Sequence, residues 1–340
     1  MPETVGQIGE RELIRRLTPW VLTGNGAGAI GIGDDAAVLT NAPGEVSTIL
    51  TTDLLIEGTH FLHNSETDWE LVGRKAAGAN LSDIAAMGAR PTGILVSLGL
   101  PAALSVSSVE QLYSGMHSLA RQHDVSIIGG DTTRAAAVTI SITVCGSRSA
   151  GEAGCLRSEA KPGDYLYVSG NLGASRAGLD LILCPSYRDL MNPAEWRDLI
   201  VEHFSPAPRL ALGQAVAGLY PRAAMIDISD GLANEARLLA EASQVKLEVH
   251  LDRLPVHSGA AQYWELREVD PAAFALFSGE EYELLMALPV APDELIEDLK
   301  RSSVNCPVTC VGTVNFGSGV SLLLDGHPVD PPDDTFVHFP

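Results

Sequence analysis

Basic residues are scarce in this sequence: 22 Lys and Arg stand against 43 Asp and Glu, a formal net charge of −21 over 340 residues. That deficit excludes nucleic acid as a partner, because counterion release from a phosphate backbone needs clustered cations. It also sets a condition on any phosphate chemistry, which would need a divalent metal to bridge the chain's carboxylates and the ligand. No apolar run approaches the roughly 20 residues that span a bilayer. The N-terminus, with Glu3, Glu10 and Glu12, lacks the basic region and apolar stretch of a signal peptide, so a cytoplasmic protein is expected. The five cysteines are odd in number and form no Cys-x-x-Cys pair, which indicates neither a disulfide framework nor a zinc site. Cys306 and Cys310, the one close pair, read as strand residues. No Gly-x-x-x-x-Gly-Lys-Ser/Thr occurs, which excludes a P-loop. A formal Gly-x-Gly-x-x-Gly at Gly26, Gly28 and Gly31 leads into Asp34-Asp35 instead of leaving a strand to open a helix, so it reads as a flexible loop.

What is present is ample core material: 46% hydrophobic residues, with abundant Ala and Gly and only 5% aromatics. The length favours two domains, with the boundary placed near residue 150, before the turn-rich segment 157–164. The first half alternates helices, expected at 7–18, 69–87 and 107–122, with strands at 46–50, 93–100, 125–128 and 137–144. Ser107 and Glu110 suggest a capping box for the third helix. In the second half, strands are expected at 165–169, 223–228, 246–251, 273–278, 282–287, 308–314 and 320–324, and helices from 173 to 183, to about 219, to about 242 and over 292–300.

The segment 73–91 stands out. Its Ala and Gly residues make a helix thin enough to approach its neighbours closely, and Gly88 followed by Pro91 supplies the stop. Asp83 within it faces Ala79, Asn80, Ala86 and Met87 at helical spacing, so no cation on the helix pairs with it. Either Asp83 is an exposed surface residue, or it is buried and meets a partner or a metal from elsewhere.

Four further segments share its chemistry: Gly33-Asp34-Asp35, Thr51-Thr52-Asp53, Gly130-Asp131-Thr132-Thr133 and Asp227-Ile228-Ser229-Asp230. Each alone fits a turn, a strand end or a helix cap. Together, mostly at strand ends, they point to a cluster of hard oxygen donors suited to Mg2+ or Ca2+, and the lack of His or Cys in them argues against zinc. Strand alternation sends Asp227 and Ser229 to one face, one to hold metal and the other a phosphate.

These segments, with Gly58-Thr59-His60-Phe61, Ile128-Gly129-Gly130-Asp131-Thr132-Thr133, Lys161-Pro162-Gly163-Asp164 and Ser278-Gly279-Glu280-Glu281-Tyr282-Glu283-Leu284, resemble in order the thiamine-monophosphate kinase family of the aminoimidazole ribonucleotide synthetase superfamily. The resemblance implies a two-domain fold: an N-terminal α/β domain (1–150) that binds ATP and Mg2+ and dimerises through its sheet, and a C-terminal α+β domain (151–340). It implies that Asp35, Thr51, Thr52, Asp53, Asp83, Asp131, Asp227 and Asp230 hold several Mg2+ ions, with Asp53, Asp83, Asp131 and Asp227 at the centre of catalysis. By the same resemblance Gly130, Asp131, Arg157, Ser229 and Tyr113 serve the nucleotide, and His60, Glu280 and the C-terminal Phe336 the thiamine monophosphate. Glu281 departs from the family, which has Asp there.

The implied reaction is ATP-dependent phosphorylation of thiamine monophosphate to the diphosphate in a cytoplasmic homodimer. The acceptor is a phosphate monoester with a second pKa near 6, already ionised at neutral pH, so no general base is needed. Repulsion between the two anions is the obstacle, and Mg2+ between them would cancel it and align an in-line transfer. The alternatives are another ATP-using member of the superfamily and a non-catalytic Mg-nucleotide-binding regulator. The selenophosphate synthetase type wants a reactive Cys near the N-terminus, whereas the first here is Cys145, and the hydrogenase-maturation type wants a C-terminal Cys, whereas this chain ends in Phe339-Pro340.

Overall fold

A computed structural model describes residues 4–20, 29–39, 46–149 and 154–329, which leaves Gly26, Gly28 and Phe336 outside the described residues. The first half contains α1 (Val5–Leu17), β1 (Ala29–Ile30), β2 (Ala37–Leu39), β3 (Ser47–Ile56), α2 (Trp69–Ala86), β4 (Arg90–Leu100), α3 (Val106–Gln122), β5 (Ile127–Arg134) and β6 (Thr139–Arg148). The second half opens with β7 (Tyr165–Ser169), α4 (Ala174–Leu183), α5 (Pro193–Phe204), α6 (Leu210–Leu219), β8 (Ala224–Asp227), α7 (Leu232–Ser243) and β9 (Lys246–His250). It closes with α8 (Ser258–Leu266), α9 (Pro271–Leu276), β10 (Leu284–Leu288), α10 (Pro292–Arg301), β11 (Val308–Asn315), β12 (Gly319–Leu324) and β13 (His327–Val329).

Each half contributes one mixed sheet, in the orders β1-β2-β3-β6-β4-β5 and β13-β12-β9-β11-β7-β10-β8. Pairing is antiparallel except between β4 and β5 and between β9 and β12. The architecture is the α/β and α+β combination expected. No helix among the described residues is long and apolar enough to cross a membrane.

Helix α2 is the hub between the sheets. Asp68 caps its N-terminus by accepting from the Leu71 N–H at 3.1 Å, and the left-handed Gly88 ends it. Between these ends almost every residue is buried, against β3 and β6 on one side, α3 on another and α5, α6 and β8 on the side of the second half. One apolar cluster therefore runs through both halves, from Ala36 and Ile94 to Met225 and Leu299. The small residues are what permit this. A Cβ on Gly73 would meet the Leu112 carbonyl oxygen at 2.0 Å, and one on Gly115 of α3 would meet the Glu70 carbonyl oxygen at 1.9 Å.

Several elements differ from the sequence reading. Thr51, Thr52 and Asp53 sit inside β3, not at its end, because pairing with β6 continues to Ile56. The segment 129–133 likewise continues β5, held by parallel pairing with β4 through Arg134. Gly130 is tolerated there only as glycine: its φ is +153°, and a Cβ would lie 1.8 Å from the Val96 carbonyl oxygen. The strand expected at 273–278 is the helix α9, started by the Asp270 cap and Pro271 in its first turn. Helix α3 is capped by Ser105, whose hydroxyl accepts from the Ser108 N–H, two residues before the capping box suggested. Helices α5 and α8, capped by Asn192 and His257, have no counterpart in the sequence reading.

The α2–α3 contact yields a direct test. Gly73→Ala or Gly115→Ala drives a methyl group into backbone, and each is expected to lower the stability to urea unfolding by about 1–3 kcal/mol, whereas Gly6→Ala, with open space around it, leaves that contact untouched.

Candidate active site

The C-terminal part of α2 carries Asp83 into a junction of β3, the turn before β2 and the end of β8. One oxygen each of Asp35, Asp83 and Asp227 lies within 4.8 Å of the others. Asp53 is close enough to act electrostatically on Asp83, and the Thr51 hydroxyl donates to Asp83 Oδ2 at 2.5 Å. Asn80, one turn before Asp83, accepts the Asp53 N–H at 3.0 Å and so ties α2 to the middle of β3. Ser82 lies against Asp227 and steadies its charge.

Crowding at this junction disfavours ionisation of Asp53, Asp83 and Asp227. Burial first, then the charges of Asp53, Asp227 and Asp35, raise the Asp83 pKa well above the ordinary carboxylate range. Burial and the Asp35 charge do the same to Asp227 and push Asp53 up to about 6. One guanidinium answers them: Arg157 donates from Nη2 to Asp35 Oδ1 at 2.7 Å and from Nε to Oδ2 at 3.3 Å, while its backbone N–H reaches Asp34 at 2.7 Å. The donors are carboxylate and hydroxyl oxygens, the set a hard divalent cation prefers, so the residues present fit Mg2+.

Other expected site residues are placed differently. Strand alternation separates Thr52 from Thr51 and Asp53: its hydroxyl donates to the Ile142 carbonyl on the outer face of the sheet. The register sets Asp131 beside Ser97, Ser141 and Leu54, on that same outer face, away from Asp83. Asp53 and the neighbouring Gly130 lie three strand spacings apart, roughly 14 Å. Tyr113 packs half-buried against the apolar cluster from α3. Ser229 does not share the outlook of Asp227: the chain hooks after β8, and its hydroxyl donates to Glu235 Oε1 at 3.2 Å. Asp230 is also bound to Glu235, through its N–H at 2.9 Å. His60 accepts the Ile56 N–H on Nδ1 at 3.0 Å in the turn after β3. Glu280 sits on a loop that docks on the end of β8, its N–H donating to the Ser229 carbonyl at 2.6 Å. Glu281 turns inward, accepts the Gly173 N–H at 2.7 Å at the start of α4, and burial pushes its pKa up to about 8.

Three buried polar residues escaped the sequence reading. Glu235 of α7 has its Oε2 buried with no hydrogen-bond partner among the described residues, and burial pushes its pKa up to about 7. Lys75 and His203 are buried beside Glu280. Lys75 carries the signal that marked Asp83, a charge inside a helix of small residues. Glu235 and His203, on ordinary amphipathic helices, carry none.

The carboxylates' raised pKa values have a direct consequence. Each lies above the unfolded value near 4, so the fold binds protons more tightly than the unfolded chain. The stability of the cation-free protein therefore falls as pH rises from about 4 through the values of Asp53, about 6, and Glu235, about 7. In EDTA at pH 8, Asp83→Asn is expected to raise the thermal midpoint by a few degrees while abolishing the further rise that millimolar Mg2+ gives the wild type. Calorimetry at pH 5 and pH 8 checks both; a lower midpoint for Asp83→Asn at pH 8 would contradict this account.

Comparisons with known proteins place the chain in a family. Residues 33–147 match the family described as AIR synthase related protein, N-terminal domain, and residues 161–325 its C-terminal domain. The thiamine-monophosphate kinase of Bacillus subtilis (strain 168) is 38% identical over 323 residues, covering 93% of this chain and 94% of that protein. That of Haemophilus influenzae (strain ATCC 51907 / DSM 11121 / KW20 / Rd) is 36% identical over 331 residues, covering 95% of each. The solved structure of AaThiL complexed with AMPPCP and TMP superposes with a TM-score of 0.83 at 33% identity, covering 100% of both chains. With both halves matched in order and the identity sustained from end to end, the chain belongs to the thiamine-monophosphate kinase family and is built of the N- and C-terminal domains of AIR synthase related proteins.

Proposed function

We propose that this protein transfers the γ-phosphoryl group of ATP directly to the phosphate of thiamine monophosphate, with several Mg2+ ions held by its buried carboxylates. The observation that carries the reading is the convergence of Asp35, Asp83 and Asp227, the first and last buried and Asp83 half-buried, answered by Arg157 alone among the described cations at Asp35. The relatives' activity supports the reaction, and the ATP analogue and TMP bound by the solved relative support the two reactants. In this reading Asp35, Thr51, Asp53, Asp83, Asp227 and Asp230 serve the ions, while Thr52 and Asp131, which the family resemblance adds to the set, lie on the other face of the sheet and do not reach the ions of this junction. Gly130, Asp131, Arg157, Ser229 and Tyr113 serve the nucleotide, and His60, Glu280 and Phe336 the acceptor. The site lies between domains 1–150 and 151–340 of a cytoplasmic enzyme.

When bound, Mg2+ supplies the charge neutralisation that lets two phosphate anions approach. The chain's own residues do the rest. The acceptor phosphate arrives ionised, so no side chain has to remove a proton. Arg157, held by Asp35 at 2.7 Å, is the guanidinium at the carboxylate junction that would pair with the nucleotide phosphates. The Thr51 hydroxyl on Asp83 and Ser82 beside Asp227 hold these carboxylates in place without reorganisation.

A homodimer completes the reading. The face of the first sheet turned away from α2 carries exposed Leu54 and Leu95 beside Thr52 and Asp131, and a second copy covering it would bury that apolar surface.

Incubation with Mg-ATP and thiamine monophosphate, followed by chromatography, is expected to yield thiamine diphosphate, and Asp83→Asn to reduce turnover by about a hundredfold or more. No product from the wild type at high enzyme concentration would refute the reading. Light scattering is expected to give twice the chain mass for the wild type and a single chain for Leu54→Glu/Leu95→Glu.

A further inference from the structure

Helix α2 buries a second charge, about two turns before Asp83. Lys75 has no exposed surface, and its ammonium has three donors to satisfy. All three are met, each by a different part of the chain. Glu280 Oε1 accepts at 2.7 Å, the neutral ring nitrogen Nε2 of His203 on α5 at 3.1 Å, and the His60 carbonyl oxygen at 3.2 Å. His203 is held neutral: burial first, then the Lys75 charge, push its pKa down to about 3. Its other nitrogen, Nδ1, faces the Ser175 hydroxyl at 3.0 Å. His203 thus serves as acceptor to Lys75 and donor to Ser175.

The arrangement is open at one point only. Lys75 and His203 are sealed, whereas the Glu280 side chain is 26% exposed. Lys75 holds Glu280 Oε1, and Oε2 lies 3.7 Å from His203, beyond hydrogen-bond reach and able to accept from outside. The backbone aims it as well: Glu280 has a left-handed φ of +58°, rare for a residue with a side chain, fixed by the bond from its N–H to Ser229. Burial opposes ionisation of Glu280, but the Lys75 charge outweighs it and holds the carboxyl below its ordinary value. A buried ion pair contributes little to stability by itself. What this one accomplishes is to lock an ionised carboxylate and the His60 turn in fixed relation, at a point on α2 displaced along the helix from the acidic cluster. Lys75 and Asp83 are eight residues apart, about 12 Å along the helix.

We infer that Lys75 is a positioning residue for the phosphate acceptor, holding Glu280 ionised and aimed and fixing the His60 turn, so that acceptor affinity depends on it and nucleotide and cation affinity do not. The inference rests on the proposed role of Glu280 and His60 toward thiamine monophosphate and names how their geometry is set. The ligand such a carboxylate suits is a cationic heteroaromatic bearing an amine donor, as thiamine monophosphate is. Asp83 and Lys75 would then divide one helix between the two reactants.

The test compares wild type, Lys75→Met, Glu280→Gln and the double variant by steady-state kinetics with each substrate varied, and by calorimetric titration of thiamine monophosphate and of Mn2+. Lys75→Met is expected to raise the KM for thiamine monophosphate about tenfold or more, with the KM for ATP and the Mn2+ affinity within about twofold. If Lys75 acts through Glu280, the double variant matches Glu280→Gln alone. An unchanged acceptor KM in Lys75→Met overturns the inference, as do parallel rises in both KM values or a double variant a further tenfold worse than Glu280→Gln. Should Lys75→Met not fold because it strands the Glu280 charge, the double variant removes both charges, and its comparison with Glu280→Gln decides the matter. A wild type that neither binds nor phosphorylates thiamine monophosphate overturns the proposed function and this inference together, whereas wild-type turnover with an unaltered Lys75→Met overturns only the latter.

Discussion

Burial of Asp83 beside Asp35, Asp53 and Asp227 is the constraint on which the rest of the structure turns. Carboxylates desolvated at this range repel one another, and one guanidinium on Asp35 does not balance them. The fold holds them together regardless, because α2 is locked between β3, α3 and α6 by apolar packing that does not involve the charges. The core thereby assembles a cluster of mutually repelling carboxylates, a repulsion that positive charge entering it would relieve.

The thinness of α2 makes this possible. With Gly73 against the Leu112 backbone, Gly115 against Glu70 and Gly213 against Ala85, three helices approach to backbone contact. A helix so enclosed can bring Asn80 to Asp53 and Asp83 to Thr51 within hydrogen-bond distance while carrying Lys75 to the opposite end of the site. The acidic balance of the whole chain acquires a local meaning here: scarce cations are concentrated where they matter, Arg157 over the carboxylates and Lys75 under Glu280.

Legibility followed from how local each signal is. Asp83 could be singled out because a carboxylate among Ala and Gly with no partner at helical spacing is anomalous within a single helix. The same logic reaches Lys75 and fails for Glu235 and His203, whose helices look amphipathic and whose burial depends on what packs against them. It misjudged α9 because an apolar run as short as 273–278 does not by periodicity alone distinguish helix from strand until the Asp270 cap is weighed. It placed Thr51 to Asp53 and 129–133 at strand ends because hydroxyl, Gly and Asp residues resemble turn chemistry, whereas cross-strand pairing carried both strands onward.

The sequence by itself determined the chemistry available: hard oxygen donors, too few cations to handle phosphate alone, no disulfide framework or zinc site indicated, a helix of small residues around one unpaired carboxylate and an ordered series of motifs that resembles one kinase family. Which of those donors meet was decided only in three dimensions. Strand alternation put Thr51 and Asp53 inward and Thr52 outward, register put Asp131 on the far face, and the hook after β8 gave Ser229 to Glu235 instead of to the carboxylates. Convergence of residues as distant as Asp35, Asp83 and Asp227 is set by the packing of α2 between two sheets, a long-range property that no local window of sequence encodes.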